Sequence, residues 1–136
     1  MQRTLINPAA TRRMYDAYHF SQAVRVGDTI WVSGQVGLDE NQRPADGVGA
    51  QARIAFESLK AILEAAGASL SDVVELMTFH TDMHSEIAGF GAAKDAYFPK
   101  DYPCWTAVGV TQLAVPGLCV EIRAVAVAGS SAGSGR

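Results

Sequence analysis

Hydrophobic and polar positions divide this chain into stretches of alternating period. Met1 to Ile6 reads as a short strand, and Asn7 to Tyr18, polar and rich in small residues, as a loop over the surface. Gln22 to Val26 and Thr29 to Val36 are β-type runs joined at Gly27-Asp28, a pair that suits a tight hairpin. Gly37 to Gly49 is loop, with Asn41, Pro44 and Gly47 as turn formers. From about Gly49 to Ala66 the period changes. Ala52, Ala55, Leu59, Ile62, Leu63 and Ala66 recur at spacings of three and four, while Arg53, Glu57, Lys60 and Glu64 lie off that stripe, which predicts an amphipathic helix. Gly67 stops it, and Ser69 with Ser71-Asp72 supplies turn and capping chemistry.

Val73 to Met83 predicts a long strand, with Val74, Leu76 and Thr78 on one face and Val73, Met77 and Phe79 on the other. A second helix covers about Glu86 to Phe98 on a stripe of Ile87, Phe90, Ala93 and Tyr97, and Pro99 ends it. Trp105 to Val110 and Leu118 to Val127 are the last strands, joined through Pro116-Gly117. Residues 1–128 are expected to form one domain, and the Ser/Gly/Ala-rich residues 129–136 a floppy tail. The order β-β-β-α-β-α-β-β predicts an α+β fold, a mixed sheet with two helices packed on one face. The strands are apolar on both sides, yet two helices cover only one of them. An uncovered apolar sheet face predicts self-association.

Composition narrows the function classes. Hydrophobic residues make up 49% and charged residues 18%, the balance of a soluble globular protein with a core. The 11 Lys and Arg are scattered and net charge is −3, so no basic footprint for nucleic acid is present. No apolar run approaches the roughly 18 residues of a membrane helix. The first residues carry charge without a long apolar stretch, so a secretory signal is not expected and a cytoplasmic location is. Cys104 and Cys119 form no C-x-x-C pair and read as buried small hydrophobes, with a reactive Cys104 beside a pocket as the alternative.

Other chemistry is thin. His80, Asp82 and His84 alternate, which on a strand sets neighbours about 7 Å apart, too far for adjacent metal ligands unless the chain turns there. No metal and no cofactor are predicted. His80 reads first as a hydrogen-bonded core or interface histidine and second as a proton shuttle, while His19 and His84 read as solvated. Ser33 lies in no G-x-S-x-G elbow. Gly47-Val48-Gly49 precedes a helix without the Lys-Ser/Thr of a phosphate loop.

Several segments carry a family resemblance: Phe20-Ser21-Gln22-Ala23-Val24, Val32-Ser33-Gly34-Gln35-Val36, Pro103-Cys104-Trp105-Thr106-Ala107-Val108 and Val120-Glu121-Ile122. With Ala65-Ala66-Gly67, Asp72-Val73-Val74 and Thr81-Asp82-Met83 between them, roughly Phe20 to Val127 resembles the YjgF/RidA family of small trimeric proteins. The best-known members hydrolyse reactive enamines and imines without a cofactor. The resemblance implies a homotrimer of the RidA-like, chorismate-mutase-like kind, with small-molecule clefts between subunits. In such members a guanidinium grips the substrate carboxylate, backbone after the Ser-Gly segment helps to hold it, and a glutamate guides water. Carried over, Ser33, Gly34 and Glu121 are retained, Glu121 as the catalytic base that guides water, with a structural ion pair to Arg123 or another subunit as the alternative.

Other positions depart from the pattern. Trp105 stands at the arginine position, Ala107 where Cys is frequent, Phe20 where a phenol is common, and Gly91 where Asn is frequent. Losing a bidentate arginine contact costs about 2–5 kcal/mol, at least tenfold in affinity for a small carboxylate. Arg123 shares a strand face with Glu121 and either substitutes for that cation or neutralises Glu121. Trp105 either stacks on a flat ligand or fills the cleft. The expected function is a deaminase of enamines or imines with altered substrate range; the alternative is a non-catalytic binding or interaction trimer. Members are also described as ribonucleases or translation inhibitors, a reading the acidic balance supports poorly.

Overall fold

The computed structural model describes residues 1–133. Six strands form one sheet: β1 (Arg3–Ile6), β2 (Ala23–Val26), β3 (Thr29–Val36), β4 (Val73–His80), β5 (Cys104–Gly109) and β6 (Val120–Val127). Three α-helices accompany them: α1 (Arg12–Tyr18), α2 (Val48–Ala65) and α3 (Met83–Tyr97). The spatial strand order is β1-β2-β3-β6-β4-β5. Every neighbouring pair is antiparallel except β4 with β5, which are parallel and joined through α3. The sheet is therefore mixed, as expected.

Alternation decides what is buried. On β6, Val120, Ile122, Ala124 and Ala126 are buried, and the residues between them are half-buried. Ile30, Val32, Leu76 and Thr78 share the buried face. Against it lie Ala52, Ala55, Phe56, Leu59, Ile62 and Leu63 of α2, with Phe90 and Ala93 of α3. Each fully buried large apolar side chain contributes about 1.5–3 kcal/mol. The helical stripes expected from period 3.6 are the stripes that pack. Gly67 stops α2 with φ +86°, a conformation that favours glycine. The opposite face of the sheet carries no α2 or α3, and Trp31 on it is 42% exposed.

Five expectations change. Asn7 to Tyr18 is not loop throughout: a 3₁₀ turn leads into α1. None of α1's residues is buried, so it has no apolar stripe for periodicity to reveal. A local Arg12–Asp16 ion pair supports it, and His19 ends it in the left-handed region. The next change is in β4, where the register shifts between Val73 and Glu75. That bulge puts Val73 in the core and leaves Val74 exposed, the reverse of strict alternation. β4 also stops at His80, and α3 begins at Met83, earlier than Glu86. Neither thiol is fully buried: Cys104 is exposed, and Cys119 is half-buried against Gln51. Finally, the expected tail begins as a 3₁₀ turn over Ser130–Gly133, where Ser131 N–H donates to Asp72 Oδ1 at 3.1 Å. Residues 134–136 lie outside the described residues.

Candidate functional site

Glu121 projects from β6 onto the helix-free face, opposite Phe79 of β4 and Val36 of β3. A bulge in β3 sets Ser33 and Gly34 against the single residue Arg123. The bulge brings the backbone over Glu121: a Cβ on Gly34 would run into the Glu121 carboxylate. Glycine is required there for close approach, not for a positive φ. Glu121 is half-buried and makes no hydrogen bond or ion pair among the described residues. Burial penalises its charged form and raises its pKa above the ordinary 4.5. Arg123 lies on the same face without pairing to it.

A polar network fixes the bulge from below. Ser33 Oγ donates to the Ser21 carbonyl at 2.7 Å, so this hydroxyl is committed to structure. Gln35 Nε2 donates to Gln22 Oε1 at 2.9 Å and to the Ser33 carbonyl at 3.0 Å. Ser58 of α2 donates to Gln35 Oε1 at 2.7 Å, and Asn7 accepts the Gln22 N–H at 3.1 Å. These contacts position Ser33 and Gly34 and anchor the segment that carries the exposed Phe20. Sequence reasoning missed Gln22 and Gln35 as a pair; their signal was a buried amide at the start of one β-type run and near the end of the next.

Trp105 belongs to a second group. The parallel register pairs it with Leu76, and Ala107 with Thr78, so both face the helices. Its Nε1–H donates to Thr78 Oγ1 at 2.9 Å, and Thr78 Oγ1 lies 2.7 Å from His80 Nε2. The indole tilts against Phe90 with centroids 5.9 Å apart, and the Lys94 Nζ stands 4.7 Å from its centroid. Gly91 precedes Lys94 by one helical turn, and a Cβ on it would meet nothing within 4 Å. His80 is a buried core histidine whose pKa burial lowers, leaving the ring neutral. Its Nδ1 is sealed from solvent without a hydrogen-bond partner. Lys94 was missed by sequence reasoning, although a lysine four residues after Phe90 breaks the apolar stripe of α3.

The chain thus gathers the candidates into two sets. Ser33, Gly34, Glu121 and Arg123 lie at the helix-free face; Gly91, Trp105 and Ala107 lie on the helix side. The sheet separates Glu121 from Trp105. Two concavities elsewhere on the surface hold none of these residues. One, of about 110 Å³, lies between Leu70 and Asp101; the other, an open depression of about 500 Å³, is lined by Asp46, Gln51, Glu86 and Cys119 among others. Burial and the neighbouring Glu86 push the Cys119 thiol up to about 11, so it stays protonated at neutral pH. Among the described residues, no group of three or more His, Cys, Asp or Glu converges. No helix among them is long and apolar enough to cross a membrane.

Comparison with known proteins agrees with this fold. The family described as Endoribonuclease L-PSP matches residues 10–128. The RutC family protein YjgH of Escherichia coli K12 is 39% identical over 127 residues, covering 93% of this chain and 95% of that protein. The 2-iminobutanoate/2-iminopropanoate deaminase of Mus musculus is 39% identical over 115 residues, covering 81% of this chain and 82% of that one. Among solved structures, Rv2704 of Mycobacterium tuberculosis, a member of the YjgF/YER057c/UK114 family, superposes with a TM-score of 0.81 at 34% identity, covering 93% of this chain and 99% of that one.

Proposed function

Since this chain belongs to the Endoribonuclease L-PSP family, the YjgF/RidA group, we propose that it hydrolyses reactive enamines or imines in clefts between the subunits of a homotrimer, with a substrate range altered at Trp105. The observation that carries the reading is Glu121. A half-buried carboxylate whose pKa burial raises, with no partner among the described residues and a bulged backbone beside it, is equipped to exchange a proton with water. Its closeness to Gly34 puts it beside a bulged backbone segment able to hold a substrate.

The chemistry balances with water alone. Glu121 takes a proton from water as the oxygen attacks the imine carbon. The C=N π pair goes to nitrogen, which takes the proton back from Glu121. The resulting carbinolamine then forms C=O as the C–N bond breaks, its hydroxyl proton passing through the carboxylate to the departing nitrogen, which leaves as ammonia. The mouse relative is named for such a deamination. One chain cannot bring Glu121 to Trp105, because they project from opposite faces of its sheet. A cleft that joins the helix-side set of one copy to the Glu121 set of the next supplies both. The ribonuclease in the family description fits less well, since 14 Asp and Glu outnumber 11 Lys and Arg.

The test is ammonia release from a panel of imines generated in situ by amino-acid oxidases, small through aromatic. Wild type is expected to hydrolyse the bulkier members, and Glu121→Gln to lose at least about a hundredfold in rate. Undiminished hydrolysis by Glu121→Gln removes Glu121 from the mechanism. Silence of wild type across the panel moves the reading to a non-catalytic binding trimer, which the loss of the arginine fork favours.

A further inference from the structure

We infer that Lys94 and Trp105 together form a receptor for a flat, conjugated carboxylate, with the lysine ammonium supplying the positive charge and the indole the stacking surface. The inference deepens the proposed function by naming the ligand class of its cleft, and it rests on that reading only for the placing of the cleft.

Lys94 occupies a position that does not suit a lysine. It lies one turn beyond Phe90 on the inward side of α3 and is 7% exposed. Burying an ammonium is costly unless it is paired and hydrogen-bonded. Its contacts compensate it weakly. Asp95 Oδ1 lies 3.6 Å away, but the Asp95 side chain is 73% exposed, so water and salt screen the pair. The other contact is the Trp105 ring at 4.7 Å, a cation–π geometry. Among the described residues, His80 Nδ1 is the buried side-chain polar atom cut off from both solvent and partners, so the Lys94 ammonium keeps a path to solvent. An anion arriving there completes its coordination.

Trp105 is built to stay still. Its Nε1–H is tied to Thr78, which is itself held by His80, and Phe90 supports the ring. The ring is nonetheless 39% exposed, leaving surface for a planar partner. Gly91, next to Phe90 and one turn before Lys94, leaves open space where a side chain would stand. The site therefore offers a point charge beside a fixed aromatic plane. A lysine gives no bidentate fork, so discrimination comes from the shape of the conjugated group more than from the carboxylate itself. An arginine at residue 105 would crowd a second cation against Lys94, whereas an indole face attracts it.

The experiment is calorimetric titration of the full-length protein with trans-cinnamate and with its uncharged analogue cinnamamide. Neither can be deaminated as an imine, so binding is read apart from hydrolysis. Cinnamate is expected to bind at least about tenfold tighter than cinnamamide, with its affinity falling as salt rises. Lys94→Met should erase that preference without weakening cinnamamide, and Lys94→Arg should restore it. Thermal melts of both variants check that the fold is kept. Equal affinity of wild type for the two compounds, no binding of either, or an undiminished preference in Lys94→Met overturns the inference. If cinnamate binds through Lys94 while no imine is hydrolysed, the deaminase reading fails and this one stands. If imines are hydrolysed equally by wild type and Lys94→Met, the reverse holds.

Discussion

At the scale of single residues, the role proposed for Glu121 joins stability to activity. Burial disfavours its ionised form, so the folded chain holds the proton more tightly than the unfolded chain does. The resulting penalty is absent below the ordinary value of 4.5 and fully present above the raised folded value. Glu121→Gln should therefore melt higher than wild type at pH 8 and alike at about pH 4, while losing hydrolysis. As a general base, Glu121 acts when ionised. The acid limb of the rate profile should then fall above the range of a solvent-exposed glutamate, and a limb at or below the ordinary range would remove Glu121 from that role.

At the scale of elements, short polar joints hold the layers in register. Ser69 and Asp72 form a reciprocal capping box between α2 and β4, and Asp72 also accepts the Ser131 N–H at 3.1 Å. Burial alone would raise the Asp72 pKa, but hydrogen bonds from Ser131, Ser69 and Gly129 outweigh it and hold the carboxyl below its ordinary 3.8. Its stabilising contribution is present above 3.8 and lost as pH falls through the lowered folded value. Asp72→Ala should cost about 1–3 kcal/mol in urea unfolding at pH 7 and much less at about pH 2. An equal cost at both pH values would show that the charge is not what stabilises this joint. The bulges in β3 and β4 are joints of the same kind: one opens Gly34 to Glu121, the other turns Val73 inward.

At the scale of the whole molecule, the proposed assembly rests on the unmatched sheet face. Leu5 and Trp31 remain exposed there, with half-buried Val24, Met77, Phe79 and Val125 beside them. In the proposed trimer a second copy of the chain covers this surface and brings Glu121 near another copy's Trp105. Trp31→Glu puts a charge at its centre and should yield folded monomers that have lost hydrolysis, read by sedimentation together with circular dichroism. A folded, fully active monomer would place the complete site in one chain and sink the inter-subunit reading.

The sequence by itself determined the sheet and its two packing helices, because period-2 and period-3.6 burial leave a direct trace in residue order. Ala52 to Ala66 and Val120 to Val127 were legible for that reason. Only the family resemblance carried by its motifs suggested that Ser33, Gly34 and Glu121 belong together, since they lie far apart in the chain. The sequence was silent on α1, which buries none of its residues, and on the two bulges, where one extra residue inverts a face without altering composition. Tertiary structure alone decided that Glu121 and Trp105 face opposite sides of the sheet. It alone set Lys94 over the Trp105 ring, since helix and strand meet there across chain distance and no local period records such a meeting.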